Sequence, residues 1–140
     1  MFIKLTDYHG NSVSLDPRKL LKLRPALANL GDPDGCTLVD WGIGGIFALG
    51  NVQRIAGVFA PYVRLAGLHD PSGGQIYLNA AAIDAVLVDH AYAGACVAVV
   101  AEAFSNPRVP TRNRIPLLES VDVATAALDR AKADFGPGQS

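Results

Sequence analysis

The 140 residues are half apolar and carry 12 basic against 13 acidic side chains, a formal net charge of −1. Such a length suffices for one ordinary domain or two small ones sharing a core, and so even a charge balance excludes strong nonspecific dependence on nucleic acid or anionic membrane. The longest uncharged apolar run near the middle, residues 91–101, is too short for a bilayer, and residues 1–7 lack the features of a secretory signal, so a cytoplasmic protein without membrane insertion is expected.

In chain order, residues 2–6 and 13–15 are β-prone runs around the turn-forming Tyr8-His9-Gly10-Asn11, the pattern of a hairpin. Asp16-Pro17 reads as the N-cap and first residue of a helix, with Leu20 and Leu23 on its buried face. Asp32-Pro33-Asp34-Gly35 is a turn leading into a strand at 36–41, and Gly42-Ile43-Gly44-Gly45 reverses the chain into 46–49. Asn51 caps a closing helix whose Val52, Ile55, Ala56 and Phe59 repeat at helical spacing.

The series then recurs. Phe2-Ile3-Lys4-Leu5 aligns with Tyr62-Val63-Arg64-Leu65, which sets Leu5 on Leu65 and His9 on His69, while Val13-Ser14-Leu15-Asp16 aligns with Ile76-Tyr77-Leu78-Asn79 and implies three extra residues in the second hairpin, at 70–75. Leu20 and Leu23 fall on Ile83 and Val86, Cys36 on Cys96, and Leu49-Gly50-Asn51-Val52 on Leu118-Glu119-Ser120-Val121, with the second copy's growth at 103–114. Ser120 takes the cap role for Val121, Ala124, Leu128 and Phe135. The expected fold is therefore α+β: two tandem ββαββα repeats, residues 1–60 and 61–135, packed as a compact pseudo-twofold pair, with 136–140 a flexible tail. Pro61 leaves almost no linker, so the copies should pack together.

These motifs, above all Phe2-Ile3-Lys4-Leu5, Val13-Ser14-Leu15-Asp16, Ile76-Tyr77-Leu78-Asn79 and Leu118-Glu119-Ser120-Val121, resemble the small bacterial flagellar proteins of the FlbD type. The resemblance implies a cytosolic, non-enzymatic accessory protein that acts through contacts in motility, and it implies no catalytic residues.

The residues themselves give no catalytic motif and no cofactor. Gly42-Ile43-Gly44-Gly45 has Phe47 where a dinucleotide fingerprint needs its third glycine, so a turn and close packing are expected. The pairs His9/His69 and Cys36/Cys96 together form a zinc-like ligand set, but no short Cys-x-x-Cys or His-x-x-x-His spacing preorganises them, and packed thiols and turn histidines are the expectation. His90 is read as a loop residue, and acids such as Asp7, Asp40, Asp84, Asp89 and Glu102 as caps and solvated surface. Arg108, Arg112 and Arg114 lie in an acid-free stretch, 105–114, able to grip a phosphate or an acidic partner, and Arg18, Lys19, Lys22 and Arg24 form a second basic cluster. The apolar counterparts of that cluster, Ala81, Ala82, Ala85 and Leu87 on a helix that starts at Ala80, point to a face turned toward another surface. A protein partner or self-association is the leading expectation; a nucleic-acid or phospholigand module using the Arg-rich loop is the alternative.

Overall fold

A computed structural model describes residues 1–42, 44–88, 97–100 and 114–134. Among the described residues ten strands and two α-helices form an α+β arrangement: β1 (Ile3–Thr6), β2 (Ser12–Leu15), β3 (Lys22–Pro25), β4 (Cys36–Asp40), β5 (Gly45–Leu49), α1 (Val52–Phe59), β6 (Leu65–His69), β7 (Gln75–Asn79), β8 (Ala85–Val88), β9 (Val97–Val100), β10 (Arg114–Leu117) and α2 (Val121–Asp134). The helices expected at Asp16-Pro17 and at Asn79 are each a single 3-10 turn, Pro17–Lys19 and Ala80–Ala82, followed by a strand, so ββαββα is corrected in both halves. The caps were real, since Asp16 accepts from the Arg18 N–H and Asn79 from the Ala81 N–H. What the helix reading missed is that Leu20 and Leu23 are both fully buried as turn end and strand, because a three-residue spacing serves a 3-10 turn plus an extended residue as well as a helix face.

Each half runs strand, strand, 3-10 turn, three strands and helix, with one additional 3-10 turn, Ala28–Leu30, in the first. The hairpins β1–β2 and β6–β7 are built alike. Asp7 and Asp70 each accept two backbone N–H groups through one carboxylate oxygen, from His9 and Asn11 and from Ser72 and Gly74. Gly10 and Gly73 take the same positive φ, 85° and 92°, where a side chain would be strained. The two turns are therefore equal in length, and no extra residues sit at 70–75. Pairing of Ile3 with Leu15 matches that of Ala66 with Leu78, so Leu5 corresponds to Leu68 rather than Leu65, and His9 to Ser72 rather than His69. A match of four letters in type, aromatic, β-branched, basic and leucine, had set the sequence register three residues off.

Downstream, Leu23↔Val39 and Val86↔Val99 occupy equivalent ladder positions, as do Val39↔Ile46 and Val99↔Ile115. Four residues join β4 to β5 and thirteen join β9 to β10, which puts the growth where the sequence indicated. Asn51 and Ser120 both cap their helices through side-chain oxygens, accepting from Arg54 and Val123.

The sheets cross between halves. The five-stranded sheet runs β5-β4-β3-β7-β6, so the second hairpin extends the first meander through Lys22↔Leu78 and Leu23↔Tyr77. Asn79 locks this joint: its backbone N–H donates to Leu21 O at 2.9 Å, its side-chain Nδ2 to Leu20 O at 2.9 Å. A three-stranded sheet, β10-β9-β8, and the two-stranded β1-β2 complete the described strands. Each hairpin also touches the last strand of its own meander, through Tyr8 N–H to Phe47 O and Leu118 N–H to His69 O.

Two cores result. Ile3, Leu5, Leu20, Leu23, Val39, Ile55, Phe59 and neighbours form the first; Leu68, Ile76, Leu78, Ile83, Leu117, Leu128 and neighbours the second. Leu21 comes from the first half yet belongs to the second core, so the halves are not separable beads. Among the described residues no helix is long and apolar enough to cross a membrane.

Candidate functional site: an open strand edge beside a groove

The sequence-predicted residues do not assemble into a site. His9 is exposed at the first hairpin tip with its ring against Tyr8, and Cys36 is a buried thiol. His69 is tied elsewhere: Glu119 accepts its backbone N–H at 2.9 Å and lies 2.8 Å from its Nδ1, fastening the end of β6 to the start of α2. No three potential metal ligands lie together among the described residues, and Cys96 falls outside them, as do His90, Asp89, Glu102, Phe135, Arg108 and Arg112. Arg114 opens β10 and is exposed.

In the basic cluster, which spans the first 3-10 turn and β3, both arginines are paired with acids. Arg18 pairs with Asp16 at 3.0 Å, holding that carboxyl down at about 2 chiefly through their side-chain hydrogen bond. Arg24 reaches Asp32 at 2.7 Å; Asp32 also accepts the Leu27 N–H, and its pKa is lowered first by the Arg24 hydrogen bond. Lys22 is half-buried; desolvation pushes its pKa below the usual value, with Asp40 across the ladder opposing the shift. Ala80, expected at a partner surface, is fully buried in the second core, whereas Ala81 is exposed. Ala81 borders a cavity of about 310 Å³ with Arg18, Tyr62, Val63, Arg64 and Asn79.

The Gly-rich reversal is a packing device. A side chain on Gly44 would come within 3.1 Å of the Trp41 ring, and one on Gly45 within 2.9 Å of the Val39 carbonyl. The cavity beside it, about 260 Å³, is lined by Leu21, Leu38, Asp40 and these glycines.

A different place in the fold carries more information, and only the comparison of halves exposes it. A groove of about 300 Å³ runs between α2 and β8, lined among the described residues by Ile83, Asp84, Ala85, Val86, Thr125, Leu128, Asp129 and Lys132. Matching the ladders and helix caps, Ile83, Val86, Thr125, Leu128 and Lys132 stand where the first half has Leu20, Leu23, Ala56, Phe59 and Val63. All five of those belong to the solid first core, against which Tyr77 of β7 also packs. Two smaller side chains and a charged one mark the difference: Leu128 is the counterpart of Phe59, Ser14 of β2 the counterpart of Tyr77, and Lys132 the counterpart of Val63.

The strand edge along this groove is also unpaired among the described residues. β3 is covered by β7, but among the described residues its counterpart β8 pairs only with β9, and β2 only with β1. The chemistry at the joint explains the difference. Asn79 donates to the Leu20 carbonyl, whereas its counterpart Asp16 is ionised, can only accept, and would set an oxygen against the Ile83 carbonyl. It folds back onto Arg18 instead. β8 is also uncharged, Ala-Val-Leu-Val, with Val88 59% exposed, while the covered β3 reads Lys-Leu-Arg-Pro. An edge without charge is the kind that pairs with another strand.

The chain matches no protein-family model, no curated protein and no solved structure. The groove and the edge are thus the basis for a functional reading.

Proposed function

We propose that this chain is a non-enzymatic cytosolic interaction or structural accessory protein, built by tandem duplication of one strand-rich unit, in which the second copy has kept a docking edge that the first has closed. The observation that carries the reading is the contrast between equivalent places: one is a filled core with a paired strand edge, the other a groove where Ile83, Val86 and Leu128 lie among Asp84, Asp129 and Lys132, beside an uncharged strand that among the described residues pairs only with β9. An open edge of this composition is a liability unless something covers it. The resemblance to FlbD-type proteins extends the proposal to a role in motility.

The test is site-specific photo-crosslinking in native cytosol. A photoreactive residue placed at Val88 should give discrete protein adducts, while the same residue at exposed Lys4 on β1 should not. Equal or absent adducts at the two positions would remove the reading. Loss of motility on deletion of the coding sequence would support the flagellar setting, and unchanged motility would end that part of it.

A further inference from the structure

We infer that the groove between β8 and α2 is a strand-addition site for an extended peptide segment that presents an aromatic side chain opposite Val86. The inference rests on the interaction reading above and names the occupant. Its template lies inside the molecule. At the equivalent position of the first half, β7 pairs antiparallel with β3, and Tyr77 stands across from Leu23 and packs on the core that holds Leu20, Leu23, Ala56 and Phe59. In the second half, Val86 and Ile83 wait on the floor of a groove of about 300 Å³.

What is missing there is a strand with a large side chain at one register. Ladder hydrogen bonds to the β8 edge would supply affinity independent of sequence, and the groove would select the side chain, the division of labour general to strand addition. An aromatic ring buries about 150–250 Å², a load suited to the space that Phe59 and Tyr77 share in the first half. The chain's own β2 is poorly qualified, because it offers Ser14 at that register and Asp16 at the locking position. A second copy's β8 offers only Ala, Val and Leu. Asp84, Asp129 and Lys132 on the rim leave the ends of the incoming segment in a polar setting.

The test uses the chain's own strand as probe: a blocked synthetic peptide with the sequence of residues 73–80, titrated into the full-length protein and followed by amide NMR shifts. Saturable binding is expected, with shifts at residues 83–88 and at Thr125 and Leu128, and with affinity at least tenfold lower for the peptide carrying Tyr77→Ser. Val86→Asp in the protein, which sets a charge opposite the aromatic side chain, should abolish binding. Because that variant could misfold, the shift map on the unaltered protein stands as an independent readout. No saturable binding at millimolar peptide, equal binding of the serine peptide, or shifts confined to other surfaces would overturn the inference. So would cross-strand contacts in the free protein that pair β8 with β2 or with β8 of a second copy. Failure of the peptide alongside specific adducts at Val88 would sink the aromatic-strand assignment alone, whereas failure of both would remove the interaction reading too.

Discussion

Replacing Asn79 with Asp converts the locked joint between the halves into a copy of the one that stays open. Asn79 is 4% exposed; its Nδ2 donates to Leu20 O at 2.9 Å and its Oδ1 accepts from Ala81 N at 3.2 Å. The introduced carboxylate keeps the second bond and loses the first. It leaves a buried carbonyl without its donor, at about 1–3 kcal/mol, and adds the cost of a desolvated charge facing that carbonyl. A loss of about 2–4 kcal/mol at pH 7 is expected in urea denaturation. Burial raises the carboxyl's pKa in the folded state above its unfolded value, so the variant regains stability as pH falls toward 4, where the protonated group can donate again, and loses it as pH rises. Asn79→Ala separates the contributions, since it removes both bonds without adding charge and should show no such recovery. A loss under about 0.5 kcal/mol at pH 7, or a loss that does not shrink on acidification relative to Asn79→Ala, would refute the account of the joint.

Other outcomes follow from the same structure. Phe59→Ala should cost about 3–5 kcal/mol, and Leu128→Ala less, because Leu128 already borders a groove; parallel thermal melts would show the ordering, and equal losses would contradict it. The Asp16 carboxyl, held at about 2 chiefly by the Arg18 side chain, should titrate higher in Arg18→Ala but stay below an ordinary aspartate, because the backbone N–H of residue 18 still donates to it. In the intact protein the contribution of the Asp16–Arg18 pair is present above the unfolded value and lost only as pH falls through about 2, a difference a carboxyl NMR titration reads directly. Glu119→Ala should speed amide exchange at His69 and Leu118, the two groups it helps fasten to each other, while exchange at the first hairpin stays unchanged.

Much of the fold was legible in local chemistry. The hairpin turns, the Asp16 and Asn79 caps, the Asn51 and Ser120 helix starts and the reversal at Gly44 and Gly45 all rest on side chains or glycines that act within a few residues. What the sequence misstated were periods and register. Leu20 and Leu23 suit a helix face as well as a 3-10 turn running into a strand, and nothing local chooses between them; the choice is made by β4 and β7, which take β3 as their ladder partner. The register of β1 against β6 was misplaced because Phe2-Ile3-Lys4-Leu5 matches Tyr62-Val63-Arg64-Leu65 letter for letter in type and Leu65-Ala66-Gly67-Leu68 only at its last residue, and only pairing with β7 settles which leucine answers to Leu5. The partner surface was sought at Ala80 and Ala81 because small apolar residues were taken to imply an exposed face, yet Ala80 is small because it is packed in the second core. The groove left a trace in sequence all the same: the alignments that set Ser14 on Tyr77 and Val52 on Val121 already carried it, in Ser14 against Tyr77 and Leu128 against Phe59.

The joint between β3 and β7 also governs how the chain can be made. While the ribosome is still delivering residues 26–79, β3 has an uncovered edge, and the side chain that locks it, Asn79, lies 59 positions beyond the carbonyl it will meet at Leu20. At about 5–20 residues per second that interval is on the order of several seconds, long compared with hairpin formation. Towards its end the first half has its helix and most of its core but no β7, so the charges of Lys22 and Arg24 on β3 guard the exposed edge of a half-made molecule. They act earlier than any contact in the finished one.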